Sequence, residues 1–378
     1  MSEFKILLIN PKDRRQTRKF NSLPFQLYRH NSQWVPPLAI EARSVFDTER
    51  RAIFRHGEVA FLLAINSSNQ AVGRLAVIHN RSYNQFNHEK TAFFYLFECV
   101  DDRRVSKELF DFAFQWAGEQ GLQQVVGPKG FTPLDGMGLL VKGFEHRPAF
   151  GQPYNLPYYP QLLELSGFLP DGDMVSGYLN VRTMDFTEKI KQVAEKVQER
   201  RGIKVVQFRN RRDFARSIPA FQDLYNASLD GTSGTMPLSS ADIKTLADQL
   251  LWFANPKLIK ILMKEEQLIG FLLAYPDISA AVQRNRGRLF PFGWLDILLE
   301  MKRTRWVNIN GAAIVEKYRG LGGTAILFNE MYKSISSGTF EHADLVQIGT
   351  DNEKMQLELR GLGIDFYKTH RIYRKVLN

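Results

Sequence analysis

Cysteine is almost absent: Cys99 is the only one in 378 residues. That excludes an intramolecular disulfide, and with it any zinc or iron–sulfur site built on several thiolates. The seven histidines show no His-x-x-x-His or similar ligand spacing, so no metal motif is present. No apolar run approaches the roughly 18 residues of a membrane-spanning helix. The first ten residues have too short an apolar core for a signal peptide and are expected to form a strand. A reducing cytoplasm is the expected setting. There is no long charged tail either. The net charge of +10 is spread along the chain, with denser groups at Arg209 to Arg216 and Arg284 to Arg288. Such an excess suits nucleic acid, an anionic membrane or a polyanionic small ligand, and a solvated basic surface accounts for most of it. Two nucleotide signatures are also missing: no Gly-Lys-Ser/Thr follows a glycine turn, and no glycines have dinucleotide-fingerprint spacing.

What remains is an ordinary globular composition, 44% hydrophobic and 24% charged, long enough for two domains. Periodicity predicts a strand at Lys5 to Asn10, a helix at Arg18 to His30, and a hairpin of Val59 to Ile65 with Ala71 to Ile78. A strand is expected at Phe93 to Val100, a helix at Leu109 to Gly118 and a short strand at Gln124 to Val126. Residues 127–160, rich in Gly, Pro and aromatics, read as a long loop that serves function or covers a site. A helix at Tyr158 to Gly167 and a strand at Gly177 to Val181 close the first half, and Thr187 to Arg201 reads as a charged helical linker.

The second half repeats this plan. Leu27-Tyr28 and Leu224-Tyr225, Arg14-Arg15 and Arg211-Arg212, and Gly73 and Gly270 all share one offset, and Gly167 and Gly363 are nearly in step. Three features in one register point to a duplicated domain. The copies differ in two places. Between two strands the second copy carries a long insert, Tyr275 to Arg305, with an apolar run at Trp294 to Leu299. A buried or lid helix is expected there, with a membrane-surface helix as the alternative. The second copy also has Arg319-Gly320-Leu321-Gly322-Gly323-Thr324, where a strand (Trp306 to Ala313) turns into a helix with Leu327, Met331 and Ile335 on one face. Glycines there permit close backbone approach and φ > 0, and the free N–H groups of a helix start favour an anion. The first copy has Val100-Asp101-Asp102-Arg103 instead. Its two carboxylates suit a helix dipole but repel a pyrophosphate.

The glycine stretch resembles the acyl-CoA loop of the GNAT acyltransferase superfamily, Arg/Gln-x-x-Gly-x-Gly/Ala, with Thr324 departing from the last position. Asp351-Asn352, then Leu362-Gly363-Ile364, then the Tyr367 to Lys375 ending follow in the order typical of that superfamily. The resemblance implies an α/β fold, an α+β sandwich of two tandem domains. Each would have a mixed, mostly antiparallel central sheet flanked by helices, over residues 1–182 and 203–378 with a helical linker at 183–202. It implies that acetyl-CoA or another acyl-CoA runs along the strand to Ala313, Ile314 and Val315. The pyrophosphate would rest on Arg319, Gly320, Leu321, Gly322, Gly323 and Thr324, and Asn352 would hold the cofactor from the next strand's tip. The amine acceptor would enter from the opposite side, near the insert and the first copy. Where the superfamily often has a glutamate base, this chain has Asn308, with Asn310 two residues on; sharing a strand face, the two could hold a proton-relaying water or simply bond each other or the backbone. The frequent tyrosine acid is replaced by Leu359, with Tyr367 and Tyr373 as possible substitutes or packing residues, and Glu316 stands where Pro is common. A CoA-dependent N-acyltransferase is the first expectation. A transferase using charged transfer RNA, and an acyl-CoA-binding protein without turnover, are the alternatives.

Overall fold

The computed structural model describes residues 4–377, apart from 50, 52, 133–134, 184–187, 207, 209, 229–234, 240–242 and 244–254. Its strands in chain order are β1 (Phe4–Leu8), β2 (Gly57–Asn66), β3 (Ala71–Asn80), β4 (Thr91–Cys99), β5 (Gln124–Gly127), β6 (Leu139–Lys142) and β7 (Leu169–Asn180) in the first half. The second half has β8 (Lys204–Val206), β9 (Ile259–Lys264), β10 (Gln267–Pro276), β11 (Trp306–Ile314), β12 (His342–Gly349) and β13 (Asp365–Val376). Alternation explains why these runs are strands. In β3, Leu75 and Val77 face one core while Ala76 and Ile78 face another on the opposite side of the sheet. Helices Arg103–Glu119 and Tyr159–Leu165 cover the first face, and helix Arg14–Leu27 covers the second. In the second half helix Gly323–Ser336 lies on one face and helix Arg211–Ser228 on the other. This is the expected α+β sandwich, repeated.

The two halves share one sheet. The order is β1-β2-β3-β4-β5-β13-β7-β12-β11-β10-β9-β8. Among the described strands only β4–β5 and β11–β12 pair in parallel, at equivalent places in the two halves. The last strands are exchanged: β13 lies against β5 of the first half, and β7 lies against β12 of the second. Between them β13 and β7 pair with each other, with Arg371 opposite Asp173. That pair is bidentate, at 2.7 and 2.9 Å, a geometry that pins strand register as well as charge. The exchange carries side chains with it. Tyr373 from the end of the chain is buried in the first-half core beside Phe94, Phe110 and Phe168, while Val181, just past β7, is buried in the second-half core.

Three details differ from the sequence-based expectations. The strand expected at Gly177 to Val181 begins at Leu169, eight residues earlier, because Leu169 and Pro170 pair with Arg374 and Tyr373 of a strand far away in sequence. The long loop contains β6, which pairs with β13. The expected linker starts outside the described residues, and its helix Glu188–Arg201 is packed: Ala194 is fully buried against helix Gly323–Ser336.

Tyr373→Ala tests the exchange. It should cost about 3–5 kcal/mol in chemical denaturation, and the loss should appear in first-half probes although the residue belongs to the last strand. A change under about 1 kcal/mol would mean that β13 is not seated in that core.

Candidate active site

The parallel pair β11–β12 is hydrogen-bonded only from Trp306↔His342 to Ile309↔Leu345. Both strands run on past that point, β11 to Ile314 and β12 to Gly349, so they part and leave a wedge. On the side where β11 meets β10 the register shifts between Leu272 and Ala274, which places a bulge at Asn310 and Gly311. Gly311 has φ +103°. The first half has the same device at the same place: β4 bulges at Leu96, with φ +54°. A bulge re-aims backbone groups out of the ladder, and here it does so at the mouth of the wedge.

Beyond the wedge β11 ends in the glycine stretch. Val315 leads a short 3-10 turn, Glu316–Tyr318, and Gly322 is the N-cap of helix Gly323–Ser336 at φ +86°. Its left-handed conformation and its neighbour both demand glycine, since a Cβ there would lie 2.8 Å from Val197 Cγ2. No side chain caps this helix and its first turn holds no acidic residue. The equivalent first-half helix, Arg103–Glu119, is capped by Asp102, whose carboxylate accepts from Arg104 N and pairs with the Arg104 guanidinium. Arg319 is exposed but folds back on the turn. Its guanidinium donates to the carbonyls of Ile314 and Ser228, at 3.0 Å each, bracing the turn. Glu316 is exposed. Asn352 is the N-cap of helix Glu353–Gly361 and accepts from Met355 N, so its carbonyl serves the helix. Leu359 is core.

The face of β11 and β12 that carries Val307, Ile309, Ala343 and Leu345 packs into the second-half core. The other face is polar. Cross-strand register aligns Tyr275, Asn308, Asp344 and Tyr178 in one row over β10, β11, β12 and β7. Two residues back, Trp306 and His342 align on the same face. Asn308 is 1% exposed, and its amide donates to Asp277 Oδ1 at 3.0 Å. That carboxylate also accepts from the Ser279 hydroxyl and pairs with Arg147 from the first half. Asn308 is thus committed to a carboxylate. Asn310 instead lies near the Tyr275 hydroxyl, as does Asn308; burial dominates and raises that phenol, and the two amides partly oppose it. The Tyr275 hydroxyl donates to Phe150 O at 3.2 Å. Asp344 bonds Lys368 at 2.6 Å, with both side chains only 3% exposed. Burial pushes the Asp344 carboxyl up, and the Lys368 ammonium pulls it back. Tyr367 lies close to Asp344, and burial followed by that carboxylate's charge keeps its phenol protonated. Tyr373, by contrast, is in the first-half core.

The first half covers this face. Arg147, Pro148 and Phe150 of the long loop contact Asp277, Ser279 and Tyr275. A cleft of about 430 Å³ remains, lined by Arg147, Arg303, Arg305, Trp306, Glu341 and His342 among others. His342 Nδ1 is 2.9 Å from the Tyr178 hydroxyl. Burial keeps its imidazole below the usual histidine range, against the pull of Glu341. Among the described residues no group of His, Cys, Asp and Glu could hold a metal.

A tandem GNAT protein from the clavulanic acid biosynthesis pathway superposes on all of this chain, with a TM-score of 0.57 over 99% of its own length and 9% identity. The chain has the tandem GNAT fold. A GCN5-related N-acetyltransferase from Sphaerobacter thermophilus matches with a TM-score of 0.51, covering 99% of this chain and 96% of its own, at 12% identity. Two curated proteins align almost end to end. Protein YghO of Escherichia coli (strain K12) is 24% identical over 95% of this chain and 92% of its own. Bacterial ceramide synthase of Caulobacter vibrioides (strain NA1000 / CB15N) is 23% identical over 96% and 95% respectively. No family model matches. Within this fold the glycine turn and the two asparagines lie where the sequence places a strand and the turn that follows it. The sequence alone missed Tyr275, Asp277, His342, Asp344 and Lys368, which are brought together only by strand register.

Lys368→Met should destabilise the protein by about 3–5 kcal/mol, because it strands a buried carboxylate. Adding Asp344→Leu should recover most of that loss in denaturant titration. If the double variant is as unstable as the single one, the pair is not the source of the cost.

Proposed function

We propose that the chain is a CoA-dependent N-acyltransferase whose second half carries the chemistry. The observation that supports this best is the uncapped, acid-free start of helix Gly323–Ser336 beside the parted strands β11 and β12. Unsatisfied N–H groups at a helix start attract phosphate, and Gly322 supplies the left-handed turn that brings the chain into that helix start. The residues present therefore fit an acyl-CoA. Arg319, Gly320, Leu321, Gly322, Gly323 and Thr324 would hold its pyrophosphate, with Ala313, Ile314 and Val315 beside its arm. When bound it supplies a thioester carbonyl: a C–N bond to the acceptor amine forms there, the C–S bond breaks, and the thiolate leaves.

This chain's residues would move the two protons. His342, neutral and facing the cleft, accepts the proton that the attacking amine loses, and Tyr178 fixes its ring. Tyr275, buried and protonated beside Asn310, is the donor to the departing sulfur once its hydroxyl turns from the Phe150 carbonyl. Asn308 acts through Asp277 as a positioning residue. Asn352 gives its carbonyl oxygen to its helix and would hold the cofactor through its amide N–H groups. The relative named bacterial ceramide synthase, aligned along 96% of this chain, supports a lipid acceptor, since a ceramide is the amide of a long-chain amino alcohol. That acceptor would enter through the cleft.

Thr324→Asp adds a carboxylate at the second position of helix Gly323–Ser336. The helix dipole favours it by about 0.3–1 kcal/mol, so the melting temperature should hold or rise. CoA affinity, read by calorimetry, should fall at least about tenfold, because each charge-assisted bond to phosphate is worth roughly 1.5–3 kcal/mol. Unchanged affinity would make the loop a mere turn.

The pH profile tests the base. His342 must be neutral to work, so kcat/KM should rise with pH through its pKa, with the acid limb below the ordinary imidazole value of about 6.5. His342→Gln should remove that limb and lower kcat by about 10²–10⁴, measured as thiol release with a long-chain amino alcohol. Retention of the limb would assign the base elsewhere.

A further inference from the structure

The insert between β10 and β11 has an outward face that is apolar. Its helix Gly293–Arg303 buries Gly293, Ile297 and Glu300 and exposes Trp294, Leu295, Leu298 and Leu299. The acidic residues of this helix, Asp296 and Glu300, are turned to ion pairs with Arg284 and Arg303. A helix on a globular surface normally does the reverse, with its leucines inward and its acids in solvent. Just before the helix, Phe290 is 81% exposed and Phe292 73%. Six large apolar side chains on one short segment exceed the scattered exposure of ordinary surfaces.

The sequence-based expectation of a buried or lid helix is not met, since the stripe faces away from the protein. The insert is also firmly mounted. Leu38, Ile278, Val282 and Ile297 form a small core beneath it. Gln283 donates to the carbonyls of Ser32 and Trp34, and Ala39 N donates to Gly287 O. The exposed charge on the insert itself is basic. Arg286, Arg288 and Lys302 are exposed beside it, and both acids of the segment are already neutralised by arginines.

We propose that this insert docks the protein onto an anionic lipid bilayer, with Phe290, Phe292, Trp294, Leu295, Leu298 and Leu299 entering the interfacial region and Arg286, Arg288 and Lys302 meeting the headgroups. Aromatic and leucine side chains on one face with basic residues at the border are what such an interface selects. Among the described residues no helix is long and apolar enough to cross a membrane, so the attachment is peripheral. The cleft shares Arg284, Glu300 and Arg303 with this insert, so docking would bring the bilayer beside the cleft. The proposal stands whether or not the chain transfers acyl groups.

The test is co-sedimentation of the full chain with vesicles of phosphatidylcholine, alone or mixed with phosphatidylglycerol. The wild type should pellet with the mixed vesicles, bind the neutral ones weakly, and lose affinity as salt rises. Phe290→Ser with Phe292→Ser and Leu299→Ser should weaken binding at least about tenfold with an unchanged melting temperature, since all three are exposed. Arg286→Glu with Arg288→Glu should remove the preference for the anionic vesicles. Failure to bind either vesicle overturns the proposal, as does binding that the triple variant keeps. A dimer in sedimentation equilibrium that the triple variant abolishes would assign the patch to a second copy and overturn it too.

Discussion

The structure depends on the exchange of its two terminal strands. A GNAT-like half whose sheet ended at β5 would leave that edge open, and open edges invite aggregation. Here β13 closes the first half at β5, β7 closes the second at β12, and the two strands close on each other. The first half cannot be completed before β13 has been made. The exchange also creates the polar face. Tyr178 reaches the row only because β7 crosses into the second half, and Lys368 reaches Asp344 from β13, across β7. The Lys368–Asp344 pair is therefore both a product of the exchange and a lock on it, since a buried pair that loses one member costs far more than it contributes intact.

The duplicated fold is legible in the sequence because it is written in local signals. The shared offset of Gly73 and Gly270 marks β3 and β10, whose residues are in step in the two halves. The glycine turn is legible for the same reason: strand, turn and helix are consecutive, and the special φ of Gly322 falls inside the motif. The polar row is not legible. Tyr275, Asn308, Asp344 and Tyr178 come from four strands, and which residues face one another depends on a register set by pairing and by bulges. The capping role of Asn352 is not legible either, because a residue that caps a helix and one that binds a ligand look alike in sequence. The insert is legible only halfway. Its apolar run is visible, but its direction is set by two acids that turn inward to arginines, which periodicity does not report.

The two copies separate structure from chemistry. Both keep the strand bulge, at Leu96 and at Gly311, and both keep the parallel pair beside it. The bulge is therefore part of the fold and cannot by itself be the mark of a working site. The copies differ in the segment after the bulged strand. In the first half Asp102 satisfies its own helix and Arg104 neutralises it, and Tyr158 and Tyr159 bond the end of β4 at Cys99 O and Glu98. Tyr28 bonds the same Glu98, which lies near Arg74, and burial raises that carboxyl. The helix start and the end of the bulged strand in that half are thus bonded from within.

In the second half the equivalent groups are left for something else to satisfy. The helix start has no cap, the strands part over a wedge, and a cleft stays open where the first half lays its loop across. Unsatisfied backbone donors are costly when buried and cheap when wet, so a fold keeps them only where water or a ligand reaches. The first half, whose own helix start is capped, acts as a wall: Arg147 and Phe150 reach over to Asp277 and Tyr275 and help hold the row in place. A duplicated domain that uses one copy as the wall of the other has a physical reason to stay joined in one chain. The exchange of β7 and β13 fixes where that wall stands relative to the row, which a flexible linker between two closed domains would not do.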